Sequence, residues 1–137
     1  MNYLQIYEIA NQGMSVEKLR VDVVANNIAN QHSIKTSTGS VFQASSVVST
    51  AKPFTELMQE AGIDSVALVQ QNLPEHKVYQ PGHPQADKQG YISYPGISTV
   101  DEMTTLLRAS HAYEANIKII NAAHSLYLQA LSIGEDR

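Results

Sequence analysis

Thr99-Val100-Asp101-Glu102-Met103-Thr104-Thr105-Leu106-Leu107-Arg108-Ala109-Ser110-His111-Ala112-Tyr113-Glu114-Ala115-Asn116-Ile117-Lys118-Ile119-Ile120 begins the stretch that decides the fold. Met103, Leu106, Ser110, Tyr113, Ile117, Ile120, His124, Tyr127 and Leu131 recur at alternating three- and four-residue steps. Sustained over roughly four heptads, that spacing marks a helix with a coiled-coil seam. Thr99 followed by Glu102 reads as a capping box at its start, and Gly134 as the residue that stops it. Leu107, Ala109, Ala112, Ala115, Ala122, Ala123, Leu126 and Leu128 widen the stripe. One partner helix cannot cover so much apolar surface.

A second helix is predicted from Tyr3 to Asn30. Ile6, Ile9, Gly13, Val16 and Val23, with Leu19 beside them, fall on a helical stripe. Gly13 costs a helix interior about 1 kcal/mol against Ala, so it reads as a packing contact. Asn26-Asn27-Ile28-Ala29-Asn30 marks the helix end. These amides also suit a buried polar cluster that fixes register between chains of an assembly.

Between the helices lie all five prolines and five of the seven glycines. The segment 32–49 reads as loop with a short strand at Val41–Ala44, and 53–61 as a short helix. Val66–Gln70, Lys77–Gln80 and the stretch after Gly90 read as short strands. Pro81-Gly82-His83-Pro84 is a turn cluster. The expected fold is mainly α. Long N- and C-terminal helices pair as an antiparallel coiled coil, and a small irregular and β middle region caps one end. The boundaries are 1–30 for the first helix, 31–98 for the middle and 99–137 for the second helix and its polar tail.

Composition narrows the function. The formal net charge is −4 and the basic residues are dispersed, which disfavours nucleic acid and anionic membranes as partners. There is no cysteine, so disulfides and thiolate metal sites are excluded. No apolar run reaches the ~18–20 residues of a membrane span. The N-terminus, Met1-Asn2-Tyr3-Leu4-Gln5, lacks the pattern of a cleaved signal.

Catalytic motifs are sparse. His111 and Glu114 form a His-x-x-Glu pair, but no second ligand set stands beside them. His76, His83 and Asp87, with Ser93 nearby, hold the residue types of a hydrolase without a nucleophile elbow. A metal-dependent hydrolase using His76, His83, His111 and Glu114 is the rival reading, and a cytoplasmic helical adaptor is another. No phosphate loop is present, and neither a cofactor nor a resident metal is expected. Tyr91 and Tyr94 are expected to pack a strand onto the helices.

Three stretches resemble one family. Val21-Asp22-Val23-Val24-Ala25-Asn26-Asn27-Ile28-Ala29-Asn30 is similar to the N-terminal signature of flagellar rod and hook proteins. The segment from Val78 through Tyr79-Gln80-Pro81-Gly82-His83-Pro84-Gln85-Ala86-Asp87, with Gly90-Tyr91 and Tyr94-Pro95, resembles the middle of the proximal rod members. Val100-Asp101-Glu102-Met103 through Leu131 resembles their shared C-terminal helix. The stretch from Gln31 to Gly39 departs from the Thr, Pro, Gly and aromatic-basic run common there.

The resemblance implies a structural subunit of the proximal, periplasm-spanning rod, not an enzyme, with another axial subunit of the rod and hook family as the alternative. It implies export by the flagellar type III apparatus without signal cleavage. The implied partners are copies of the chain and other rod proteins, with the adaptor to the MS ring among the neighbours. The expected assembly interface is Ile6, Ile9, Val16, Leu19, Val23, Asn26, Asn27 and Asn30 on the first helix. On the second it is Met103, Leu106, Tyr113, Ile117, Ile120 and Leu131.

Overall fold

The computed structural model describes residues 3–34, 39–51 and 62–135. Among these, the elements in order are α1 Tyr3–Asn30, β1 Ser45–Ala51, β2 Ile63–Gln70, β3 His76–Tyr79, β4 Tyr91–Tyr94 and α2 Thr99–Glu135. Two long helices thus flank a middle region of two antiparallel hairpins, β1–β2 and β3–β4. The short helix expected at 53–61 lies outside the described residues.

The first helix has the predicted bounds. The second runs through Gly134 to Glu135, so that glycine does not stop it. Its cap is also displaced by one residue. Ser98 Oγ accepts from the Asp101 amide at 3.3 Å, and Ser98 O accepts from the Glu102 amide at 3.0 Å. Ser98 is therefore the N-cap. Thr99 Oγ1 donates instead to Gln31 Oε1 at 2.5 Å, and the Glu102 carboxylate is taken by Asn27.

The two helices touch along most of α1. Gly13 faces Asn116, Asn27 bonds Glu102, and Gln31 bonds Thr99. Later positions on one helix therefore meet earlier positions on the other. On α1, extended to Gln31, the residues Ile6, Ala10, Gly13, Glu17, Arg20, Val24, Asn27 and Gln31 are all buried or half-buried. On α2 the matching set is Glu102, Leu106, Ala109, Tyr113, Asn116, Ile120 and Ala123. Both sets repeat every seven residues. Small side chains, Ala10, Gly13 and the fully buried Ala109, let the backbones approach.

The strand expected at Val41–Ala44 is displaced: pairing begins at Ser45, and Val41 and Ala44 are buried as loop residues. The Ser-rich segment 45–50 becomes a strand because β2 supplies its partner. Ser45 pairs Gln70, Val48 pairs Ala67 and Thr50 pairs Ser65, with Thr50 Oγ1 and Ser65 Oγ 2.7 Å apart. The β1–β2 hairpin does not cap the helix pair. It lies along α1, tied at one end by Asn27 to Ser45 and at the other by the Ile63 amide donating to Gln12 Oε1 at 3.0 Å. Those ties span about 22 Å of helix.

Hairpin β3–β4 pairs His76 with Tyr94 and Tyr79 with Tyr91. Ile92, only 1% exposed, is its buried residue. Tyr91 is exposed and meets the Tyr79 ring edge-on with centroids 5.2 Å apart. The expectation that Tyr91 packs this strand onto the helices is thereby corrected: Ile92 is the buried residue of the strand, and among the described residues neither β3 nor β4 lies against α1 or α2.

Candidate assembly interface

The Asn motif at the end of α1 divides into two jobs. Asn30 Nδ2 donates to Asn26 O at 2.9 Å and to Asn26 Oδ1 at 2.7 Å. The Asn30 carbonyl accepts from the Ser33 amide at 3.0 Å and the Ser33 hydroxyl at 2.8 Å. The Ser33 bonds satisfy a carbonyl that the last helical turn leaves open. Asn27 points the other way and is 1% exposed. Its Nδ2 donates to Ser45 O at 2.8 Å and Glu102 Oε2 at 3.1 Å, and its Oδ1 accepts from the Ser45 amide at 3.0 Å. One amide thus joins α1, α2 and β1.

The predicted interface residues fall into two groups. Val16 is buried, and Ile6, Leu19, Val23, Leu106, Tyr113 and Ile120 are half-buried. Ile9, Met103, Ile117 and Leu131 are exposed in the single chain, Met103 at 53% and Leu131 at 50%. The stripe read from bulky residues therefore straddles two faces of α2. Sequence reading counted Ala109 only as widening the stripe and Glu102 only as part of a cap, and it passed over Asn116. The seven-residue repeat of small and polar positions was the signal that could have found them.

Beyond Asn116, α2 carries further apolar surface. Ile117, Leu128 and Leu131 lie to one side of the buried seam. Ile119, Leu126 and Ile133 lie roughly half a helical turn away from them, on the seam's other side. Helix α1 covers neither group. A helix apolar on several sides is one meant to be buried by several neighbours.

The loop from Gln80 to Gly90 is organised by backbone bonds. The Gln80 amide donates to Gly90 O at 2.8 Å, and the Asp87 amide to Tyr91 O at 2.8 Å. The Asp87 Oδ1 accepts from the Gln89 amide at 2.8 Å and the Tyr91 amide at 2.9 Å. Gly90 has φ 84°, and a Cβ there would lie 2.9 Å from the Tyr79 ring. Asp87 and His83, candidates for catalysis in the sequence, are thus occupied locally. His83 Nδ1 accepts from the Gln85 amide at 3.2 Å.

The Tyr91 amide bond, opposed by desolvation and helped by the Gln89 bond and the charge of Lys77, holds the Asp87 carboxyl below its ordinary value. A depressed folded pKa means that the charged form stabilises the loop above the ordinary value near 3.8. That contribution is lost as pH falls through the lower folded value. Amide exchange in β3–β4, corrected for intrinsic rates, is expected to accelerate below that pH. Asp87→Ala is expected to exchange faster already at neutral pH, and Asp87→Asn, which keeps an acceptor oxygen, is expected to lie between.

The remaining histidines are dispersed. His76 on β3 and His32 after α1 line a cleft of about 530 Å³ with Gln31, Val78, Tyr94 and Thr99. His111, Glu114 and His124 sit exposed on α2. Among the described residues, no three His, Asp or Glu side chains come together as a metal-binding group. No described helix is long and apolar enough to cross a membrane.

Comparison with known proteins places these features. Residues 88–133 match a family model described as the C-terminal part of the flagellar basal body rod FlgEFG proteins. The chain is 32% identical over 135 residues to the flagellar basal-body rod protein FlgC of Salmonella typhimurium, covering 98% of this chain and 100% of that protein. It is 33% identical to FlgC of Yersinia enterocolitica, again over 98% and 100%. For FlgC of Borreliella burgdorferi the identity is 31%, covering 97% and 98%. With relatives above 30% identity aligned over nearly its whole length, the chain belongs to the FlgC family of flagellar basal-body rod proteins.

Proposed function

We propose that this chain is a torque-transmitting structural subunit of the proximal rod, assembled through its terminal helices. The observation that carries the reading is the apolar surface on α2 to both sides of its seam with α1. Each stripe asks for a neighbour, and a helical assembly of like subunits supplies one on each side. Within the subunit, the seven-residue repeats and the opposed contact order fit an antiparallel coiled coil. The hairpins then face away from the helical wall.

In this reading the functional site is a set of interfaces, without catalysis or cofactor. The neighbours are copies of the chain, other rod proteins and the adaptor to the MS ring. The subunit reaches the basal body through the flagellar type III apparatus, without signal cleavage.

Ile117→Asp tests the reading. Ile117 is 37% exposed in the single chain, so the substitution is expected to cost the isolated chain only about 1–2 kcal/mol. In an assembly the same carboxylate is buried without a partner, which is costly. The expected result is a purified chain that still melts cooperatively at a modestly lower temperature, with motility and incorporation into basal bodies lost. Normal incorporation with normal motility would sink the proposal.

A further inference from the structure

Asn27 is positioned to do more than end a helix. Its amide bonds the Ser45 backbone from both sides, as a neighbouring strand would. Its second amide hydrogen is held by Glu102 on α2. The site is dry, with Asn27 1% exposed between Ser45 of β1 and Glu102 of α2. An amide–backbone bond in water competes with water and contributes little, whereas a buried one is strengthened by low dielectric and by a charged partner. A second side-chain tie between α1 and this hairpin among the described residues, Gln12 to Ile63, is exposed.

We propose that Asn27 is a positioning residue that couples the pose of the β1–β2 hairpin to the pairing of α1 and α2. With the helices paired, Glu102 completes the amide and the hairpin is seated along α1. With the helices apart, Asn27 is wet, its bonds to Ser45 are in exchange with solvent, and the hairpin loses its fixed pose. The consequence for assembly rests on the rod reading above: a subunit whose helices have not yet paired does not present its hairpin as the assembled subunit does.

The coupling is testable in the full-length chain without reference to flagella. Glu102 reaches Ser45 through Asn27, which makes Glu102 a probe of α2's influence on the hairpin. Hydrogen exchange is measured at the amides of 45–50 and 63–70, with amides at the centres of both helices as the internal reference. Glu102→Ala is expected to speed hairpin exchange on the order of fivefold, the scale of one buried hydrogen bond, with the helix centres unchanged. Glu102→Gln, which keeps an acceptor oxygen, is expected to restore protection. Asn27→Ala is expected to speed the hairpin at least as much, and adding Glu102→Ala to it to change nothing more. The proposal is overturned if Glu102→Ala leaves hairpin exchange at the wild-type rate. It is equally overturned if that variant speeds the hairpin as much in the Asn27→Ala background. Acceleration of hairpin and helix centres together in Glu102→Ala, unrelieved in Glu102→Gln, also overturns it, because Glu102 would then be acting on helix stability alone.

Discussion

Gly13→Leu is expected to lower the stability of the chain by about 2–3 kcal/mol, the cost of forcing a large side chain into a filled contact. Even a bare Cβ at this position would sit 2.8 Å from Asn116 Nδ2 and 3.2 Å from Asn116 Cγ. A leucine cannot be accommodated by moving one amide, so the helices must separate locally. A urea unfolding midpoint is the readout, with an unchanged slope showing that the folded state is retained. The contact in question is the end of a side chain, which makes a finer prediction possible. Gly13→Ala alone should be near neutral, because the gain in helix propensity is set against displacement of Asn116. Combined with Asn116→Ala, which frees the space, it should exceed Gly13 in the same Asn116→Ala background by about 1 kcal/mol. If Gly13→Leu were neutral, the close approach of the helices would be wrong.

The second large effect is expected from Ile92→Ala, at about 2–4 kcal/mol. Ile92 is among the largest fully buried side chains of the described residues, so its loss leaves a cavity in a small middle region with little else to collapse into it. Tyr91→Ala beside it is the control. That ring is 39% exposed and touches Tyr79 at an edge, so about 1 kcal/mol or less is expected from its removal. Thermal unfolding of the two variants side by side separates the cases. A larger loss for Tyr91 than for Ile92 would reverse the assignment of the inward face.

The contrast between these neighbours shows how sequence reading works here and where it stops. Both helices are legible because each carries periodic apolar residues over many turns, and α1 has the bounds read from its pattern. The register between them is not. Bulk and hydrophobicity single out Met103, Ile117 and Leu131, but the positions that face α1 include Ala109 and Asn116, which such a reading discounts. Where two backbones come close, the contact is made by what is small, and small residues do not stand out in a pattern read from bulk. Residues 45–50 fail for a different reason. Ser45-Ser46-Val47-Val48-Ser49-Thr50 has the composition of a loop and becomes a strand through its partner β2 and through Asn27, 18 residues away. The Asn motif was legible as a helix end, yet its second residue, Asn27, makes a bond spanning 75 residues that no local pattern announces.

The helices also differ in length, 28 residues against 37. The register set by Gly13 opposite Asn116 brings Tyr3 level with Leu126, so residues 127–135 project past the first turn of α1. At 1.5 Å per residue the projection is about 13 Å. A shaft built from such pieces has a lap joint at this overhanging end of the helix pair, while at the other end Asn30 and Thr99 stand level. Twisting or bending one piece against the next must then shear a side-chain-covered helix surface and cannot simply open a butt seam, which is how a drive shaft made of separate rods resists coming apart at its junctions.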